Sequence, residues 1–192
     1  MLMLPVASLD RHTADLLPKR PACGSGIARL TSEISAALDA PAATFGGRIK
    51  SALARAVTDP DLLSPEHRQP KAGCYARHVL HSDPDGRFTV LAIVWDSGQF
   101  SPAHAHDTWC GYAVLENALE ETVFRYNADA AKAEVLQTQL RKPGYSCFAA
   151  AGLDQIHRVG NSGSRPAISI HVYGVERERI ATHVNRLVDV AP

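Results

Sequence analysis

What this sequence has little of narrows its function before any motif is read. It has no excess of either charge: 20 basic and 20 acidic residues cancel. Neither sign gathers into a run, so the electrostatic footprint of a nucleic-acid or anionic-membrane binder is missing. Long hydrophobic runs are missing too. The longest, Phe88 to Trp95, is far short of the roughly 20 residues a bilayer-spanning helix needs. The opening MLMLPVASLD has no basic leader and breaks at Pro5, so neither secretion nor membrane insertion is expected. The four cysteines, Cys23, Cys74, Cys110 and Cys147, are scattered without a Cys-x-x-Cys pair, which suits a reducing cytoplasm better than a disulfide framework. There is no internal repeat and no low-complexity segment. What remains is a cytoplasmic protein whose partner is a small molecule, a monomer or weak homo-oligomer. Its 192 residues, 45% of them hydrophobic, suffice for one good core, and a single domain over 1–192 is expected.

The texture of the chain changes near Pro70. Before it, Ile27, Leu30, Ile34 and Leu38 recur at helical spacing, and Ile49, Leu53 and Val57 repeat the pattern before Asp59-Pro60. Ser64-Pro65-Glu66 can open one more turn with Ser64 as cap and Pro65 at the first helical position, closed by Pro70. Residues 1–70 therefore read as a helical cap. After it come eight short segments rich in Val, Ile, Phe, Tyr and Thr: 74–81, 87–95, 109–115, 120–126, 134–140, 145–149, 155–159 and 167–174. Turn chemistry such as Asp83-Pro84-Asp85-Gly86 and Pro143-Gly144 separates them. Strands so spaced predict a mainly β fold, a small β-barrel or jelly roll over 71–175. The charged extension 176–192 reads as a short helix or irregular.

The chemistry concentrates in Ser101-Pro-Ala-His104-Ala-His106-Asp-Thr-Trp-Cys110. Alternate strand residues share a face, so His104 and His106 can reach one cation, and the same parity adds Cys110. A third inward histidine would close a facial site. His157, in Gln155-Ile-His157-Arg-Val-Gly-Asn161, is the best candidate, on a strand that ends in a turn.

These spacings resemble a known superfamily. Gly98, His104, His106 and Cys110 are similar to the first cupin motif with its usual glutamate replaced, and Pro143-Gly144 with His157 and Asn161 resemble the second. Within the cupins, Tyr75-Ala-Arg77 and Ser169-Ile-His171-Val-Tyr173 resemble the Tyr-x-Arg and Ser-x-His-x-Tyr strands of the thiol dioxygenases, the cysteine dioxygenase family. The resemblance covers about residues 70 to 175. It implies a cupin barrel carrying Fe(II) on His104, His106 and His157, with a small thiol and O2 as partners and cysteine sulfinic acid as product. Three neutral imidazoles leave the double positive charge of such an ion uncompensated, which favours a thiolate from the substrate.

The same resemblance assigns the remaining site residues. Arg77, sharing strand parity with Tyr75, is the clamp for the carboxylate of a bound amino acid, because a guanidinium pairs with a carboxylate bidentately and lysine cannot. Ser169, His171 and Tyr173 form a relay ending in a phenol beside the substrate. Cys110 stands where animal members carry the cysteine of a thioether cross-link to that tyrosine; a small buried thiol is the alternative. A sister branch that oxidises 3-mercaptopropionate has glutamine at the position of Arg77 and an arginine after the relay strand. Arg77 is present here, and Arg177 and Arg179 follow Tyr173 closely, so L-cysteine leads with 3-mercaptopropionate as the alternative. A ring-cleaving cupin dioxygenase or a non-catalytic small-molecule sensor also remains open, as do zinc, nickel and copper for a three-histidine site. Trp109 and Tyr112 read as packing; His12, His67, His78, His81 and His183 read as incidental, and Cys23, Cys74 and Cys147 as small hydrophobic residues.

Overall fold

The computed structural model describes residues 25–191; the readings made for MLMLPVASLD, His12 and Cys23 lie outside them. Two helices come first, α1 (Ser25–Leu38) and α2 (Ala42–Ala56). Each buries a stripe at 3–4-residue spacing: Leu30, Ile34 and Ala37 on α1, and Ile49, Ala52, Leu53 and Ala56 on α2. One turn of 3-10 helix follows at Pro65–Arg68. Here the cap expectation is corrected. Ser64 makes no side-chain bond to the turn's backbone; its hydroxyl bonds His67 Nδ1 instead, at 2.9 Å.

Ten strands follow: β1 (Ala76–Ser82), β2 (Thr89–Trp95), β3 (His104–His106), β4 (Cys110–Glu116), β5 (Leu119–Asn127), β6 (Lys132–Arg141), β7 (Ser146–Ala149), β8 (Gly152–Gly160), β9 (Ala167–Tyr173) and β10 (Asn185–Leu187). They form two five-stranded sheets, β1-β2-β9-β4-β7 and β10-β3-β8-β5-β6, with antiparallel neighbours throughout. This is the two-sheet, jelly-roll form of the expected fold, mainly β with a helical cap; the described strands do not close into a single ring. Eight strands match the predicted segments. β3 and β10 were not among those segments, and the tail, read as a helix or irregular, holds a 3-10 turn at Arg177–Arg179 and then β10.

The helices cover the outer face of the first sheet. Leu30, Ile34, Ile49 and Leu53 pack with Val90, Ala92, Val94, Ile168, Ile170 and Val172. The alternate residues of the same strands, including Ile93, Trp95, Tyr112, Ser169, His171 and Tyr173, lie on the opposite face, toward the second sheet. Both faces are therefore covered, and β2 and β9 are buried at every position. The helix sits close: a Cβ on Gly111 would come within 2.9 Å of Leu53 Cδ1 and 3.1 Å of the Cys147 carbonyl oxygen, so a larger residue there would have to push both aside.

Candidate metal centre and its cavity

The histidine cluster is built by β3 and β8 of the second sheet. His104 and His106 point inward by strand alternation while Ala103 and Ala105 pack on the outer face. Register places His104 directly opposite His157. One nitrogen from each of the three rings lies within 4.8 Å of the other two, and the ring centroids are 4.7 to 5.2 Å apart.

Hydrogen bonds set which nitrogen of two of the rings is free. His104 Nδ1 lies 2.9 Å from the Pro102 carbonyl, which can only accept, so Nδ1 carries the proton and Nε2 keeps its lone pair. His157 Nδ1 lies 2.8 Å from Glu121 Oε1, and Arg141 Nε donates to the other oxygen, Oε2, at 2.7 Å. A guanidinium has only donors, so Glu121 accepts on both sides and His157 Nε2 is left free. His106 differs: Nε2 is 3.4 Å from Cys110 Sγ, and Nδ1 is buried without a partner. Burial first, and then charge on neighbouring histidines, pushes His104 down to about 3 and His106 down to about 2. Both are therefore neutral at ordinary pH, the state in which imidazole binds a metal. For Glu121, burial favours the acid form, but the bonds from His157 and Arg141 outweigh it and hold the carboxyl below its usual range. Three converging ring nitrogens, one ring braced by a carbonyl, one by a carboxylate and one with a buried orphan atom, fit a divalent ion.

The first sheet supplies a hydrogen-bonded chain facing this cluster. Trp95 Nε1–H donates to Ser169 Oγ at 2.9 Å, Ser169 Oγ lies 2.8 Å from His171 Nε2, and His171 Nδ1 lies 3.1 Å from Tyr173 Oη. The indole can only donate, so Ser169 Oγ accepts from it and keeps its own hydrogen and a second lone pair for His171, whose two tautomers both complete the chain. In the tautomer with the proton on His171 Nδ1, the phenolic hydrogen of Tyr173 is left for the cavity. Burial pushes the Tyr173 phenol well above its ordinary range and the His171 ring well below its own, so the phenol stays protonated and the ring neutral. Cys110 on β4 stands directly opposite Tyr173 on β9, and its thiol is also pushed well up by burial.

One cavity gathers nearly all the sequence-predicted side chains: Tyr75, Arg77, His104, His106, Cys110, His157, His171 and Tyr173 line it together. Ser169 stands one step back, behind His171. Arg77 lies on the edge strand β1, with Nη2 donating to Tyr75 Oη at 3.0 Å. Its side chain is inward by parity but solvent-exposed, so it stands at the cavity mouth and not in a closed pocket. A second cavity of about 210 Å³ lies against the same His106 and His157, lined also by Glu121, Arg141, Tyr145 and Cys147.

Some side chains were read differently from sequence. Trp109 packs edge-on against Phe45 of the cap at 5.0 Å, as expected. Tyr112 does more than pack: it lines both cavities, stacks on His171 at 5.3 Å and 15°, and carries a buried hydroxyl without a partner. Glu121, Arg141 and Trp95 were missed. Nothing local marks Glu121, which shares strand parity with Val123 but also with the charged Arg125. His67, His78, His81 and His183 stay outside the cluster. Arg177 and Arg179 line neither cavity, and Arg179 faces Glu176 at 3.8 Å. Cys74 is exposed, and burial pushes the Cys147 thiol up to about 12. The two motif glycines sit at turns with positive φ, Gly98 at 76° and Gly144 at 91°. Asn161 closes the turn after β8, donating to the Trp95 and Arg165 carbonyls.

Two facing antiparallel sheets with three inward histidines define a cupin-type β protein with a centre suited to a metal ion. A family model described as cysteine dioxygenase type I matches residues 72–184, more than half of the chain, and the chain belongs to that family. Among curated relatives, cysteine dioxygenase type 1 of Rattus norvegicus is 27% identical over 101 residues, 52% of this chain and 50% of the relative. That of Danio rerio is 29% identical over 107 residues, with the same shares. The chain spans about half the length of the curated relatives it matches. Similar solved structures include a Thermus thermophilus protein, 21% identical with a TM-score of 0.46, covering 57% of this chain and 91% of the other. A Klebsiella pneumoniae protein with a double-stranded β-helix domain is 21% identical with a TM-score of 0.45, covering 62% and 93%. No described helix is long and apolar enough to cross a membrane.

Proposed function

We propose that the chain is an iron-dependent thiol dioxygenase that converts L-cysteine and O2 to cysteine sulfinic acid. The observation that carries this reading is the convergence of the three histidines, the Tyr173 phenol and the Arg77 guanidinium on one cavity. His104, His106 and His157 would hold the iron. Bound there, Fe(II) would supply the Lewis acidity and redox chemistry that oxidation of a thiolate by dioxygen needs.

The chain's own residues do the rest. Arg77 pairs with the substrate carboxylate at the cavity mouth, where its partial exposure lowers the cost of desolvating two charges. Tyr173, kept protonated by burial and aligned by His171, donates its hydrogen toward the reacting thiol or amine. Ser169, itself bonded by Trp95, holds the His171 ring in place behind the phenol. Ile93, Trp95 and Val159 wall the cavity with apolar surface and exclude water. The register that sets Cys110 opposite Tyr173 supports a thioether link, which would lock the phenol's rotamer. The free thiols Cys74, Cys110 and Cys147 suit a reducing, cytoplasmic setting. The position of Arg77 beside the cluster, with Arg177 and Arg179 elsewhere, supports L-cysteine over 3-mercaptopropionate.

The test is oxygen uptake by the iron-loaded protein with each thiol side by side. Faster uptake with L-cysteine and release of its sulfinate is expected. Faster turnover of 3-mercaptopropionate would move the assignment to that substrate, and no uptake with either would reject a thiol dioxygenase.

A further inference from the structure

We infer that Glu121, braced by Arg141, is a positioning residue for the metal centre: it fixes the His157 ring so that Nε2 faces the ion, and through that ring supplies the negative charge that three histidines lack. The inference rests on the reading of the cluster as a metal centre. It deepens that reading by placing the carboxylate absent from the ligand set one hydrogen bond behind it.

The geometry is specific. Glu121 is only 5% exposed, and a buried carboxylate persists only when its oxygens are satisfied. Each oxygen has its own donor, Arg141 Nε on Oε2 and His157 Nδ1 on Oε1. Arg141 is held in turn, on β6 beside β5 and with its guanidinium 4.4 Å over the Tyr145 ring. An ion pair serving only to join two strands would leave the second oxygen for water or backbone; here it is given to a candidate ligand. The three rings are also unequal. His104 leans on a neutral carbonyl, His106 has no Nδ1 partner, and His157 leans on an anion. An anionic partner behind an imidazole fixes its tautomer and raises its basicity toward a metal.

The experiment uses Co(II) as probe, its affinity measured by chelator competition for the wild-type chain, Glu121→Ala, Glu121→Gln and Arg141→Met, beside the melting temperature of each metal-free protein. Glu121→Ala should weaken Co(II) binding by about 10- to 100-fold. Glu121→Gln, which retains an accepting oxygen without the charge, should lose less, and Arg141→Met should fall between wild type and Glu121→Ala. A second readout needs no metal: in nitrogen-15 histidine-labelled protein, the downfield His157 Nδ1 proton should move upfield in Glu121→Gln. That resonance and the Glu121→Gln affinity decide the matter should Glu121→Ala fail to fold. If folded variants bind Co(II) within about twofold of a wild type that itself binds one ion per chain, the inference is overturned and the metal centre stands. If the wild type binds no Co(II), the metal-centre reading fails and takes the inference with it.

Discussion

The two sheets meet at one cavity but are built under different constraints. The first carries the cap on its outer face, so β2 and β9 are buried at all seven positions. The second is solvated over much of its outer face, and β6 exposes Val135, Leu136 and Leu140. The division of labour follows. In the proposed function the second sheet offers inward nitrogens to the metal and the carboxylate behind them. The first, with β2 and β9 buried throughout, keeps a phenol protonated and a histidine neutral, and in the same proposal supplies the proton-holding chain. Neither sheet makes the site alone; the fold functions by fixing the gap between them.

The largest effects should separate these contributions by what they abolish. His104→Ala, on the second sheet, should cost metal affinity and turnover at least about 100-fold, more than the loss of an outer-shell partner. Tyr173→Phe, on the first, should retain the metal and lower turnover by roughly 10²-fold or more. Metal content by mass spectrometry beside oxygen uptake distinguishes the two, and metal loss in Tyr173→Phe would break the division.

The unequal cover of the sheets should show next as stability. Leu53→Ala, under the cap and against Gly111, should destabilise by about 2–5 kcal/mol. Leu140→Ala, at 61% exposure, should change stability by no more than about 0.5 kcal/mol. Denaturant melts of both check this, and equal losses would show that the outer face of the second sheet is covered in solution.

The same contrast explains what the sequence let one read. The central strands β2 and β9 of the first sheet are nearly continuous apolar runs, so Ser169 and His171 stand out inside AISIHVY as buried polar residues. His104 and His106 stand out by alternation. What was illegible depends on partners far along the chain. β10 is Asn-Arg-Leu, too short and too polar to announce a strand. The Trp95 indole looks like any core aromatic until β9 places Ser169 beside it. Glu121 looks like one surface acid among several until β8 and β6 bring His157 and Arg141 to it. That Arg77 sits at the mouth follows from β1 being an edge strand, and pairing order is not written in local pattern.

The edge position of Arg77 sharpens the comparison at smaller scale. Arg77→Gln should raise KM for L-cysteine by about 10- to 100-fold, the loss of one charge-assisted pair. KM for a thiol without a carboxylate should hardly change. Steady-state kinetics on both substrates decides it, and equal losses would remove the clamp role.

A further small effect lies in the hairpin after β1. Two bonds of 2.8 Å from Arg87 lower the Asp83 carboxyl to about 2. A depressed carboxyl contributes stability that is fully present above its unfolded value near 4 and is lost as pH falls toward about 2. Arg87 is 39% exposed, so screening by solvent keeps the contribution small. Asp83→Asn should lower the melting temperature at pH 7 and leave it nearly unchanged near pH 2; an equal loss at both would assign the effect to shape and not to charge.

The most direct test of the central claim, that the facing sheets form a thiol-oxidising iron centre, is mass spectrometry of the product after turnover of L-cysteine under oxygen-18 gas. The account predicts cysteine sulfinic acid with both sulfur-bound oxygens labelled, lost in His157→Ala. Label from water, or cystine as the sole product of the iron-loaded wild type, would contradict it.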